Sequence, residues 1–433
     1  MQITVKSAFE NAKLRYVLDY IFVERFGCNY ELNPDIEAVD SVKIGYGISE
    51  NVDIAIPNTG FLQENEIINF EPEVKIDNKN QIFVFPSDLS SDLPFDIFSA
   101  IFFFLSRYEE YVNADRDLHQ RFDCQHSFAY KNGFHNRAVV DEWVMMLREH
   151  IAEKFPKIVF KTEMPSISLT IDVDMMFSYQ TKGLLRNVAA AFRDFFKGKF
   201  ASLVERSCVL LGFRKDPFNT FDKIENICKK NNIVPIFFIL CANKRTAFDK
   251  NGNIRKKKSV EIIKKLKTFS EIGLHPSYYS MNNKENIFEE KKLLEEVLGQ
   301  SVSKARFHFL RINIPKSYLE LSEAGFTDDY TMGFASKEGF RAGTTLPFKF
   351  FDLQNNKVLP LTIHPFSVMD GSLRDYQKLS LQESEKILMQ KTSYIKSING
   401  CFQLLIHNNI MSEKSMWSGW SKLIENVLET FKS

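Results

Sequence analysis

From residue 165 onward the chain repeats one pattern: a short apolar run, polar residues at its end, then an amphipathic stretch. In Ser166–Asp174, Ile167, Leu169 and Ile171 alternate with small polar residues, which predicts a β-strand. Further strands are predicted at 233–241, 271–275, 304–309, 326–332, 358–365 and 401–407. Helical spacing lies between and after them, over 219–230, 259–269, 285–298, 316–323, 381–396 and 413–431. Such alternation argues for a parallel α/β fold, and this many units favour a (β/α) barrel over an open sheet.

The first 160 residues pattern differently, and Pro156 and Pro165 bracket a short polar link after them. Helices are predicted over 11–26, 97–111 and 139–155, and short strands at 42–46, 52–56 and 81–86. The expectation is a smaller N-terminal α/β domain, 1–160, followed by a barrel domain, 165–433. A length of 433 residues suits two or three domains.

Composition narrows the partners. Net charge is +1, so no global field points to nucleic acid. The six cysteines are scattered without metal or redox spacing, as in a reducing compartment. No secretory signal is visible at the N-terminus, and the longest apolar run, 97–105, is about half the ~20 residues of a membrane helix. The expected location is cytoplasmic.

The strand ends carry the chemistry. The first ends in Asp172 and Asp174, which alternation places on one side. Two carboxylates so close call for a cation or a shared proton, although a strand running into a solvated acidic turn would look the same. Later strand ends bring His275 with Ser277, then Arg306, His308 and Arg311, then Asp328 and Asp329, then His364, and last His407. Four of the chain's eight histidines therefore lie on one predicted rim, where barrel enzymes place their chemistry. Imidazole and carboxylate together suit a divalent cation such as zinc and metal-assisted hydrolysis. His119, His126, His135 and His150, in polar loops or at helix ends, are expected on the surface.

At these residues the chain resembles the polysaccharide deacetylases, metal-dependent carbohydrate esterases with a distorted (β/α)7 barrel. The likeness covers roughly 165–433. Thr170-Ile-Asp-Val-Asp174 is similar to their first motif, which implies that Asp172 is the base and Asp174 a metal ligand. His275 matches the first histidine of the second motif, but the position four residues on is Tyr279. His308, in a segment like the arginine-bearing third motif, is the nearest replacement. Leu405-Ile-His407 is similar to the last motif, which implies that His407 is the catalytic acid. A divergent bacterial branch with an extra N-terminal α/β domain is closest. It carries His-Pro-Ser-Tyr, a segment like Gly339–Thr344, and N-terminal stretches like Ser106–Glu110 and Val140–Trp143. The resemblance implies removal of an N- or O-linked acetyl group from a sugar or lipid-linked glycan of surface-polysaccharide synthesis, with Zn2+ the expected cofactor. Two alternatives stay open. One is a catalytically silent glycan-binding or scaffolding protein, because of Tyr279; the other is a metal amidohydrolase on a non-sugar amide.

Five residues are expected near substrate or behind the ligands: Arg311, Arg341, His364, Asp329 and Ser277. For the arginines the choice lies between orienting Asp172 or binding a substrate anion, and pairing with Asp328, Asp329 or Asp352. Ser277 either meets the metal water or shapes a turn. Trp417 and Trp420 either stack on a sugar or cap the core. Between the first two strands, Leu184, Leu185, Val188, Phe192, Phe195 and Phe196 recur at helical period beside Lys182, Arg186, Arg193, Lys197 and Lys199. The segment is expected to pack on the barrel; a peripheral contact through 182–213 with an anionic membrane is the alternative.

Overall fold

The computed structural model describes residues 2–34, 41–88, 91–414 and 417–432. Four short strands open the chain, β1 (Gln2–Ser7), β2 (Tyr30–Leu32), β3 (Ser41–Tyr46) and β4 (Ile54–Ile56). They form a parallel sheet in the order β2-β1-β3-β4. A hairpin follows, β5 (Val74–Ile76) with β6 (Ile82–Val84). The apolar run 97–105 forms a helix, Ile97–Leu105, buried on every side. It stops at Arg107, whose left-handed φ of 55° breaks the predicted 97–111 helix in two. Val139–Lys154 forms the next long helix.

The second half builds one nine-stranded sheet. Its strands are β7 (Ser166–Val173), β8 (Ile236–Leu240), β9 (Glu271–His275), β10 (Lys304–Ala305), β11 (Asp328–Asp329), β12 (Phe348–Asp352), β13 (Lys357–Ile363), β14 (Val368–Met369) and β15 (Cys401–His407). Their order is β12-β13-β11-β10-β9-β8-β7-β15-β14, and every pairing is parallel except the β12–β13 hairpin. The chain passes from β13 to β14, near opposite ends of this order, through 364–367 alone. That connection spans roughly 17 Å at most, so the sheet must curl until those strands approach. Gln403 Nε2 donates to the His364 carbonyl at 2.9 Å across the seam. Among the described residues no ladder pairs β13 with β14, so backbone pairing does not close the expected barrel into a ring.

Two predicted strands shrink. The 304–309 run gives only Lys304–Ala305 before a turn in which Phe309 and Leu310 have left-handed φ of 59° and 56°. The 326–332 run gives only Asp328–Asp329. The last helix runs Trp420–Lys432 rather than from 413, and 415–416 lie outside the described residues.

A hydrophobic core runs from Ile3 to Phe431 without a break at residue 160. Buried charges tie the halves together. Glu110 accepts from Arg107 Nε at 2.9 Å and from Arg341 Nε at 2.8 Å, all three side chains being buried. Burial opposes the charge on Glu110, but Arg341 and Arg107 outweigh it and hold its carboxyl at about 2. Asp141 accepts from Arg25 at 2.9 Å and from Thr344 and Thr345 hydroxyls at 2.7 and 2.8 Å. Ser106–Glu110, Val140–Trp143 and Gly339–Thr344 are therefore parts of one interface. Gly343 adopts φ +65°, and a Cβ there would lie 2.9 Å from the Phe104 ring.

The insertion after β7 folds as two helices, Leu184–Phe196 and Phe200–Leu210. Contrary to expectation, most of its described apolar residues do not pack inward: Leu185, Val188, Phe192, Phe195 and Phe196 are exposed, while Val209 is buried. Among the described residues no helix is long and apolar enough to cross a membrane.

Candidate metal centre

Strand register brings the site together. On β7, Asp172 pairs with His407 of β15 on one side and Phe238 of β8 on the other. One step further along, Ile239 pairs with Leu274 and Leu240 with His275. Asp174, just past β7, thus falls level with His275. Ala305 pairs with Leu274, which sets Arg306 beside His275. Parallel strands in register so deliver acids and imidazoles to one end of the sheet.

One carboxylate oxygen of Asp174 and one ring nitrogen each of His275 and His308 lie within 4.8 Å of one another. His275 Nε2 is 3.3 Å from Asp174 Oδ1, and His308 Nε2 is 3.6 Å from it. His407 Nε2 lies 3.8 Å from the other oxygen, Oδ2. Asp172 Oδ2 is 3.7 Å from His275 Nε2. Tyr279 stands half exposed on the turn after β9, outside this cluster.

Each imidazole is held from behind through Nδ1. His275 Nδ1 donates to the Arg306 carbonyl at 2.5 Å. His308 Nδ1 faces Asp249 Oδ1 at 3.0 Å, and His407 Nδ1 faces Asp370 Oδ1 at 2.7 Å. With an acceptor behind every Nδ1, the three Nε2 atoms point into the site. Asp249 also accepts the Tyr278 backbone N–H at 2.9 Å and the Thr246 hydroxyl at 2.7 Å, fastening the loop after β8 to the site. Asp370 accepts the His407 backbone N–H at 2.9 Å as well.

Arg306 is fully buried and serves Asp172. Its Nη1 donates to Asp172 Oδ1 at 3.0 Å, Nη2 to the Thr170 hydroxyl at 2.8 Å, and Nε to the Tyr330 carbonyl at 2.9 Å. Its guanidinium carbon lies 4.6 Å from the Phe238 ring centre. Gly273 makes room for that ring, since a Cβ there would meet it at 2.6 Å.

The electrostatics follow. Burial opposes charge on His407, but Asp370 and Asp174 prevail and lift it to about 10. Burial likewise opposes charge on His308, yet Asp174 and Asp249 lift it to about 9. Asp174, whose side chain is 28% exposed, sits well below the usual carboxylate range although desolvation opposes its charge, because His308, His275 and His407 surround it. Asp249, against burial, is brought to about 2 by His308, Tyr278 N–H and Thr246.

The residues fit a cation. Asp174 Oδ1 is buried and accepts no hydrogen bond, an expensive state that a metal ion would relieve. Two imidazoles with fixed tautomers and one carboxylate form a zinc-type donor set that leaves room for water. The adjoining cavity of about 310 Å3 is lined by Asp172, Asp174, His275, His308, His407 and, from the N-terminal part, Arg121. It lies at the low end of small-molecule sites.

Other expected site residues lie elsewhere. Arg341 is spent on Glu110 and not on Asp172, Asp328, Asp329 or Asp352. Arg311 stacks on Tyr278, 3.7 Å from its ring centre, and donates to the His119 carbonyl at 2.7 Å. Ser277 shapes a turn, its N–H donating to Glu290 at 2.9 Å. His364 pairs with Asp328 at 2.7 Å and stacks on Tyr330. Asp329 is buried on Thr331. Trp420 is in the core, and Trp417 packs against Phe218. His119 is not a plain surface residue, since its ring packs against Phe248, Tyr278 and Phe309. Sequence reasoning missed Asp249 and Arg121, which come from loops, and Asp370, which directly follows the two-residue strand β14. Only Asp370 left a trace, as the acid that ends Val368-Met369.

Comparison with known proteins adds little to this geometry. Residues 2–156 match a family of unknown function, DUF7033. No curated protein is similar in sequence. Among solved structures, one classed as a polysaccharide deacetylase from Mycobacterium smegmatis is similar at 14% identity, covering 62% of this chain and 85% of that one, with a TM-score of 0.41. An allantoinase, Puue, is similar at 13% identity over 61% of this chain and 84% of its own, with a TM-score of 0.39. A CE4 family pseudoenzyme from Bacillus anthracis is similar at 12% identity over 63% and 68%, with a TM-score of 0.29. The chemistry therefore rests on the site itself.

Proposed function

We propose that this chain is a metal-dependent hydrolase that removes an acetyl group, N- or O-linked, from a sugar or glycan intermediate of surface-polysaccharide synthesis, on the cytoplasmic side. The observation that carries the proposal is the convergence of Asp174, His275 and His308 beside a second carboxylate, Asp172, and a second imidazole, His407. Asp174, His275 and His308 would hold the cation, most simply Zn2+, which when bound polarises a carbonyl and acidifies a water. Arg306 occupies Asp172 Oδ1, so Oδ2 is the oxygen free to take the proton of the attacking water. As the C–N or C–O bond breaks, His407 Nε2 gives its proton to the departing amine or alcohol, and acetate is released. Asp370 keeps that imidazole charged and oriented for the task. The sugar assignment draws on the motif likeness of Thr170–Asp174 and Leu405–His407.

The test is acetate release from acetylated amino sugars and their oligomers by zinc-loaded protein. Asp172→Asn and His407→Ala should each lower the rate about 100-fold or more. The proposal fails if no acetylated sugar is cleaved. Hydrolysis of small cyclic amides instead would point to an amidohydrolase. Absence of metal uptake, with Asp174→Ala changing nothing, would mean a silent scaffold.

A further inference from the structure

The two-helix insertion is built inside out. Apart from Val209, the buried side chains described in its two helices are polar: Arg206 donates to Asn187 at 3.1 Å and to Asp194 at 2.5 Å, and its guanidinium covers the Tyr179 ring at 4.8 Å. All three of Asn187, Asp194 and Arg206 are buried. The apolar side chains face out. Leu185 is 86% exposed, Phe196 81%, Phe213 79% and Leu211 72%. Phe192, Phe195, Phe200 and Val204 are also more than half exposed, and Phe195 touches both Phe196 and Phe200, which joins the helices into one aromatic face. A water-facing surface of this kind marks a contact with something else.

The charges say what kind. Residues 182–215 carry eight Lys or Arg and two acids. Both acids are engaged within the fold, Asp194 with Arg206 and Glu205 with Lys414 and Tyr179. Arg186, Arg193, Lys197 and Lys199 are exposed around the aromatic face. A groove of about 740 Å3 beneath the insertion is lined by Lys182, Arg186, Arg193, Arg206 and Lys250, with Met175, the residue after Asp174, also in its wall. A second copy docked symmetrically would set these cations against each other. An anionic lipid surface offers hydrocarbon for the rings and negative headgroups for the cations.

We infer that the 184–213 hairpin seats the protein on an anionic bilayer, apolar face in the lipid and cations on the headgroups, and so holds the cavity at the membrane surface. The inference stands on the insertion alone and does not depend on the metal site. The test is co-sedimentation of the full chain with phosphatidylglycerol–phosphatidylcholine vesicles and with pure phosphatidylcholine, at low and high salt. Binding is expected to the anionic vesicles and to weaken with salt. Phe192→Ser with Phe195→Ser and Phe196→Ser should cut partitioning about tenfold or more. Lys197→Glu with Lys199→Glu should cut it about tenfold on anionic vesicles only. These side chains are exposed, so both variants should melt as the parent does. No binding above the phosphatidylcholine control, or variants that bind like the parent, overturns the inference. So does a dimer in light scattering that the phenylalanine variant dissolves, which would assign the face to a second copy.

Discussion

The pair that sets the site's geometry is Arg306 with Asp172, and replacing Arg306 by Met exposes its strength. Met keeps most of the stem and removes the guanidinium. Three hydrogen bonds disappear, to Asp172, Thr170 and the Tyr330 carbonyl, together with the stack on Phe238. Arg306 is 0% exposed and Asp172 3%, so the carboxylate left behind keeps little access to water beyond the cavity it lines. Removing one member of a buried pair costs about 3–5 kcal/mol, because the other charge stays buried and uncompensated. At 1.4 kcal/mol per tenfold, that lowers the folded-to-unfolded ratio by roughly a hundred- to several thousandfold. The assay is urea unfolding of metal-free protein for the parent, Arg306→Met, Asp172→Asn and the double variant. The double variant should cost less than the two singles summed, by about 1–3 kcal/mol, since Asn leaves no charge behind. A single-variant cost below about 1 kcal/mol, or strict additivity, would refute the role given to Arg306.

Three further outcomes are expected. Glu110→Gln strands the buried guanidiniums of Arg107 and Arg341 and should cost about 3–5 kcal/mol in the same unfolding assay. Burial raises the Asp329 carboxyl to about 6, above its unfolded value near ~4, so between those pH values the folded chain keeps a proton that the unfolded chain has released. Stability from this group therefore falls by about 3 kcal/mol as pH rises from about 4 to 6, and the fall should be missing from Asp329→Asn when the two unfolding curves are compared across pH. Gly273→Ala would drive a Cβ to 2.6 Å from Phe238 and 2.9 Å from the Lys304 carbonyl, and should lower stability by about 1–3 kcal/mol in thermal melts.

Much of the second half was legible because parallel strands buried on both faces read as apolar runs. β7, β9 and β15 end within a residue of their expected limits, and the acids and histidines at those ends came with them. His308 was placed on a strand, yet it stands in a turn, since Phe309 and Leu310 take left-handed backbone that no side chain there announces. Asp249 reaches the site from a loop and Asp370 from the end of β14, and neither has meaning until the fold brings them behind His308 and His407. Arg341 misled for a related reason: its partner, Glu110, lies 231 positions away. The insertion misled differently. Period alone shows an apolar face but not which way it turns, and here the polar network of Asn187, Asp194 and Arg206 takes the inside.

One cation should sit between Asp174, His275 and His308. Crystals grown with zinc and measured on both sides of its absorption edge test this directly. A single strong anomalous peak is expected, bonded to Asp174 Oδ1 and to Nε2 of both histidines and lost in Asp174→Asn. A map without that peak, or with zinc bound only at other residues, would contradict it.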